Sequence, residues 1–325
     1  MTPAKIEVLN AGGGGGDFAM RLLESGFNIQ SLRTQATLRR EEWLHYDTAI
    51  TEVARERLVG ISDLVAAGLT YNLPNALGKT SIEWEKSSDM DDALVSMDGV
   101  TQGRNDRMDF GIDSMPIPLV TKDFQLNIRA LAASRTTGMP LDTMQAERAT
   151  RKVVEGLESM LFSGSTILGS NAPIYGYTTA TTRNTGSVTA SWATTTGENI
   201  LIDVLAMVAA ANADHMYGPF KLYVPIAVHT HMSGDFKAAS DKSILSRIME
   251  VPSISGITAT EQLSGTNIIM VQMTRDVVDL INGFQPTMVQ WESQGGMIQH
   301  FKVMAIMPPR IKSDHSGQSG IVHYS

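Results

Sequence analysis

The chain predicts an α+β fold, and three observations carry that expectation. One long stretch, residues 134–164, has the periodicity and end signals of a single helix. Two short alternating stretches around Trp84 and Phe110 read as paired strands. From about residue 196 onward, helical and strand patterns interleave and end in a strongly alternating strand.

The long helix organises the rest. Asp142 is placed to cap its N-terminus, Gln145 three residues on can reach back, and Pro140 discourages an earlier start. Gly164 marks the other end. Ala146, Ala149, Val153, Leu157, Met160 and Leu161 recur at steps of three and four, a face that should be buried. Arg148, Arg151, Lys152, Glu155 and Glu158 fall opposite, together with Met144 and Phe162, a mixture that a partner surface would explain. About 22 residues of helix span roughly 33 Å. Gly156 inside it costs about 1 kcal/mol relative to alanine; close approach of another backbone and a gentle bend both account for it.

Before this helix, residues 1–38 contain the run AGGGGGD and suit an extended arm. No Lys-Ser/Thr follows the glycines and no strand precedes them, so they do not form a phosphate loop. Residues 41–67 step Trp43, Tyr46, Ile50, Leu58, Ile61 and Val65 at helical intervals, with Gly68 as a stop, and predict a second long helix. Residues 69–119 then read as a long two-stranded excursion, which needs cover because an isolated ribbon is marginal in water. It is acidic: Glu83, Glu85, Asp89, Asp91, Asp92 and Asp98 stand against Lys86 alone until Arg104 and Arg107.

After Gly164 a Thr-rich loop runs to about 196. A helix is expected at 198–214 with Ile200, Leu201, Val204, Leu205 and Val208 inward, a strand at 221–224 and a helix at 242–250. Strands are expected at 267–272, 277–281 and 287–292. The last element, 297–307, alternates Phe301, Val303 and Ala305 against Lys302 and Met304 before Pro308 and Pro309 end it.

Composition narrows the function. No cysteine is present among 325 residues, which excludes disulfides and thiolate metal sites. The longest apolar runs are far short of a membrane span. A net charge of -8 argues against a protein that grips nucleic acid through its phosphates. Only 18% of residues are charged, where about 25% is usual, so part of the surface is expected to be covered by other subunits. No nucleophile elbow, zinc-protease helix or dinucleotide fingerprint occurs, so no catalytic, cofactor-binding or metal residues are assigned. His229 and His231 with Asp235 suggest a metal-dependent hydrolase as the different-class alternative, although an i, i+2 pair on a helix points to different sides. The hairpin aspartates lack the spacing and turn glycine of a calcium loop and read as a solvated or partner-facing tip.

Four stretches, in this order, resemble the major capsid protein of tailed bacteriophages, the Hong Kong ninety-seven type fold. They are SDMDDALVSMDG on the hairpin, DFQLNIRALAASRTTGMPLDT before the helix, GLESMLFSGS at its end, and the terminal VQWESQGGMIQHFKVMAIMPPRIKSDHSGQSGIVHYS. The resemblance covers nearly the whole chain. It implies an N-terminal arm at 1–38, an N-terminal helix at 39–68 and an extended E-loop hairpin at 69–119. A P-domain at 120–195 would hold the spine helix 142–163, followed by an α/β A-domain at 196–295 and a returning P-domain strand at 296–325.

Further implications are self-assembly of pentamers and hexamers into an icosahedral shell around double-stranded DNA, with no sequence-specific DNA binding and no membrane. The shell would be a virion capsid assembled in the host bacterial cytoplasm, with portal and possible scaffolding or decoration proteins as partners. Encapsulin nanocompartments share the fold and are the alternative. Since only an arm and one helix precede the hairpin, no fused scaffolding domain is expected. Trp84, Asp89, Asp91, Asp92, Arg104, Arg107, Arg148, Arg151 and Lys152 are the candidate intersubunit contacts.

Overall fold

The computed structural model describes residues 46, 48–50, 58–88, 90, 95, 97, 107–127, 129, 144–167, 169, 173–237, 242–294 and 297–325. The chain divides into two compact units. The first takes residues 1–53, 121–152 and 286–304, and the second takes 54–120, 153–285 and 305–325.

In the first unit the main described element is a three-stranded sheet. It is formed by β10 (Phe284–Ser293), β11 (Ile298–Ile306) and β4 (Val120–Asn127), with β11 in the centre. The alternation expected of the last element is present, since Phe301 and Val303 of β11 are buried. Phe301 stacks on Phe124 of β4 at 5.0 Å and meets Tyr46 at 6.0 Å, and these rings form the core of the sheet's inner face.

The second unit is built around a mixed sheet in the order β5 (Asn184–Gly186), β13 (Ile321–Tyr324), β8 (Ile268–Gln272), β6 (Phe220–Pro225) and β7 (Ile254–Thr260). Every residue of β8 is buried, and its run IIMVQ is apolar almost throughout because neighbours cover both faces. The parallel pair β6 and β7 is joined by helices at Ile226–Met232 and Ile244–Met249. Ser243 caps the second of these by accepting from the N–H of Ser246 at 3.2 Å. A longer helix, Gly197–Ala213, sends Ile200, Val204, Met207 and Ala211 into the core beside Trp192, Phe220, Leu222 and Met270. Leu205, expected inward, is 48% exposed: it lies off the stripe that these four residues define.

The Thr-rich loop carries more core than its composition suggests. Asp203, 3% exposed, accepts from the Thr189 N–H at 3.1 Å, the Thr189 hydroxyl and the Trp192 indole N–H at 2.8 Å, which pins the loop to the helix and buries Trp192 completely.

Three further strands, β1 (Thr70–Asn72), β9 (Val278–Asn282) and β12 (Pro309–Ile311), form a small sheet with β9 central. The chain's end therefore does not stay with β11. It passes through β12 into this sheet and then through β13 into the five-stranded one.

The long helix spans Met144–Ser163, and Ala146, Ala149, Val153, Leu157, Met160 and Leu161 are all buried, as expected of that face. It stops at Gly164, whose φ of +73° any side chain would strain, and whose Cβ would lie 2.3 Å from the Ile174 carbonyl oxygen. A Cβ on Gly156 would meet only the Val120 side chain, at 3.4 Å, so among the described residues no other backbone makes a close approach there. The expected cap residues Asp142 and Pro140 lie outside the described residues.

The helix expected over 41–67 is not continuous. Tyr46 and residues 48–50 are helical, but Leu58 and Val59 are not, and a separate helix covers Gly60–Ala66. The break has a distant cause: the N–H groups of Gly60 and Ile61 bond to the carboxylate of Glu158, 98 and 97 residues away.

Candidate functional site

The expected hairpin is formed by β2 (Ser81–Ser87) and β3 (Phe110–Pro116), antiparallel and in register with Trp84 opposite Asp113. Its two faces differ. Ile82 and Trp84 pack, with buried Met115, onto a cluster containing Leu73, Ala76, Met160, Ile281 and Ile306. The opposite face carries Glu83, Glu85, Phe110 and Ile112, with Phe110 65% and Ile112 73% exposed. Two large apolar side chains beside two carboxylates on an exposed ribbon face form a surface suited to covering by another chain.

Trp84 points inward within its own chain. Its ring lies 5.6 Å from the Arg310 guanidinium, and its indole N–H is buried without an acceptor among the described residues. Lys86 pairs with Asp113 at 3.1 Å. Arg107 is exposed at the ribbon's far end, and Arg148, Arg151 and Lys152 are exposed on the long helix. Asp89, Asp91, Asp92 and Arg104 lie outside the described residues. The described contact candidates are thus of two kinds, one packed into its own chain and four presented on surfaces.

The hydrolase alternative has no centre here. Among the described residues, no group of three His, Cys, Asp or Glu side chains is close enough to hold a metal ion, His229, His231 and Asp235 included.

A polar cluster that periodicity did not reveal lies beneath the ribbon's root. Glu158, assigned by spacing to the non-core face, is 4% exposed. Its carboxylate accepts from Gly60 N–H at 2.6 Å and Ile61 N–H at 3.4 Å. Asp63 accepts from the Tyr223 hydroxyl at 3.1 Å and pairs with Lys221 at 2.6 Å. Phe162, Tyr177 and Tyr223 surround the group with edge and stacked contacts at 5.2–6.0 Å. Burial outweighs the backbone N–H donors of Gly60, Ile61 and Val59 and pushes the Glu158 carboxyl up to about 7. The only local signal was an acid set in the apolar run LESMLF.

The solved structures similar to this chain include a virus-like particle and phage capsids. The chain is similar to the virus-like particle from Pyrococcus furiosus, with a TM-score of 0.63 and 18% identity over 88% of this chain and 99% of that one. It is similar to the capsid of Myoviridae phage XM1, with a TM-score of 0.61 and 13% identity over 80% and 90% of the two chains. In sequence, it is 29% identical over 135 residues to the type 1 encapsulin shell protein EncA of Myxococcus xanthus (strain DK1622), a match spanning 41% of this chain and 44% of that protein, less than half of the relative's length. The fold is the α+β Hong Kong ninety-seven type expected from the sequence. One family model, described as "Family of unknown function (DUF6260)", matches residues 33–324, and the chain belongs to that family.

Proposed function

We propose that the chain is the major capsid protein of a tailed phage, a structural protein without catalytic residues that assembles as pentamers and hexamers into an icosahedral shell around double-stranded DNA. The observation that carries this reading is the ribbon β2–β3, with Phe110 and Ile112 uncovered, in a fold shared with a virus-like particle over 99% of that particle's chain. Repeated heterologous contacts around a ring would cover such a face. A net charge of -8 suits a container that must release its DNA.

In this reading 1–38 is the N-terminal arm, 39–68 the N-terminal helix, 69–119 the E-loop and 120–195 the P-domain. The A-domain is 196–295, and the returning segment is 296–325. The ribbon's acidic side meets basic side chains of a neighbouring copy, with Arg148, Arg151 and Lys152 as candidates. Portal, scaffolding and decoration proteins are the further partners, and the site of action is the virion capsid, assembled in the host cytoplasm.

Size-exclusion chromatography with electron microscopy tests the shell: particles eluting in the void volume are expected, and a chain that stays a 35.2 kDa monomer at all salt concentrations would reject the reading. The likeness to an encapsulin shell protein favours a second reading, a nanocompartment. Particles from the native source distinguish the two, because nuclease-protected double-stranded DNA is expected in the first and a protein cargo in the second.

A further inference from the structure

The helix Gly60–Ala66 is the root of the hairpin: after Gly68 and Leu69 the chain enters β1 and then the ribbon. Its contact with the long helix is unusually close. A Cβ on Gly60 would lie 2.7 Å from Leu161 Cδ2 and 3.1 Å from both Phe162 Cε2 and a Glu158 carboxylate oxygen, so any larger residue would push these side chains aside. At the centre of this joint Glu158 holds two backbone N–H groups of the root.

Among the described residues Glu158 has no counter-ion of its own. The charged and titratable groups around it are Asp63 from the root helix, Lys221 and Tyr223 from β6, and Tyr177 from the loop before β5. The Lys221 ammonium is taken by Asp63. Burial, with the nearby carboxylates adding to it, pushes both tyrosines above their ordinary range, so they remain neutral. The Tyr177 hydroxyl has no partner among the described residues. Among the described residues, ionising Glu158 therefore places a negative charge beside aromatic rings with no cation paired to it, relieved only in part by the backbone N–H groups of Gly60, Ile61 and Val59.

We propose that Glu158 is a proton-responsive latch: protonated, it keeps the root of the hairpin docked on the long helix, and ionised, it draws water into the joint and lets the root open. The folded carboxyl titrates above its unfolded value, so the closed joint has its full advantage in acid and loses it as pH rises through neutrality. If the shell reading holds, one such joint in every subunit makes the set of the hairpins depend on pH. The joint itself does not rest on that reading.

The test is hydrogen–deuterium exchange of the full chain, corrected for the intrinsic pH dependence of exchange and read on peptides covering 60–66. With the carboxyl moving from 4.5 when open to about 7 when closed, opening should rise about tenfold between pH 6 and pH 8.5. In Glu158→Gln it should stay flat, while β6 and β8 stay protected throughout. An unchanging root in the native chain, or the same rise in Glu158→Gln, would overturn the proposal. Should Glu158→Gln fail to fold, infrared spectroscopy of the native chain decides: a protonated buried carboxyl band present at pH 6 must disappear by pH 8.5, and its absence at pH 6 would overturn the proposal. Because exchange is read on the joint, failure to form particles and failure of the latch are separate results.

Discussion

Arg310 illustrates how this chain uses charge in its interior. It stands opposite Asp279 across β12 and β9 and grips it with two parallel bonds, Nε to Oδ1 at 2.8 Å and Nη2 to Oδ2, while Lys312 reaches the same carboxylate at 2.8 Å. The guanidinium also lies 4.8 Å from the Tyr71 ring and 5.6 Å from that of Trp84, so the inward face of the ribbon rests partly on this cation. The pair's side chains are 8% and 6% exposed. Taking away one member of such a pair leaves an uncompensated buried charge, which costs about 3–5 kcal/mol, whereas replacing both with apolar residues costs much less. Asp279→Ala should therefore lower the denaturant midpoint of the unassembled chain sharply, and Arg310→Met with Asp279→Leu should recover much of the loss. In contrast, Glu250→Gln, which breaks exposed pairs with Lys242 and Arg247, should shift the midpoint little. Equal effects for Asp279→Ala and Glu250→Gln would refute the distinction.

At the scale of elements, local pattern and distant contact divide what could be read in advance. The long helix, the ribbon and β11 follow from their own periodicities, because in each one face is consistently less exposed than the other. Not legible were β7, ISGITAT, whose residues favour a strand but whose isoleucines stand three apart and whose burial does not alternate, and β13, four residues long and held by pairing with β8 and β5. The interruption at 58–59 was illegible for the same reason as the buried cluster: Glu158 and Gly60 meet only in three dimensions. For the candidate contact surface, the charges were legible but not their neighbours, since alternation placed Glu83 and Glu85 on one face without showing that Phe110 and Ile112 share it. This matters for docking. An exposed ion pair contributes at most about 1 kcal/mol, but repetition at every subunit contact multiplies its effect on assembly. Reversing Asp91 and Asp92 to lysine should leave the monomer folded and hinder particle formation, and adding Arg148→Glu and Lys152→Glu should partly restore it. Unimpaired assembly of the first variant at low salt, where such attraction is least screened, would show that the hairpin does not dock by charge.

For the whole molecule, the question is whether a shell of such chains is held by covalent bonds between subunits. The resemblance to tailed-phage capsids raises the possibility, because some of those proteins join a lysine of the E-loop to an asparagine of a neighbouring P-domain, with a glutamate as base. In this chain the lysines available on the hairpin are Lys79 and Lys86, and Lys86 is already paired with Asp113 inside its own ribbon. The acceptor side fails outright: after Asn282 no asparagine occurs, so neither β10 nor β11 nor the segment that follows can supply the amide. In the proposed shell, cohesion would come from burial of faces such as the one bearing Phe110 and Ile112, at about 25 cal/mol per Å² of apolar surface removed from water, and from repeated ion pairs. Assembled particles boiled in detergent should therefore run as a single monomer band on a denaturing gel. A ladder of multimers that survives boiling would show a cross-link of some other chemistry and overturn this account of what holds the shell.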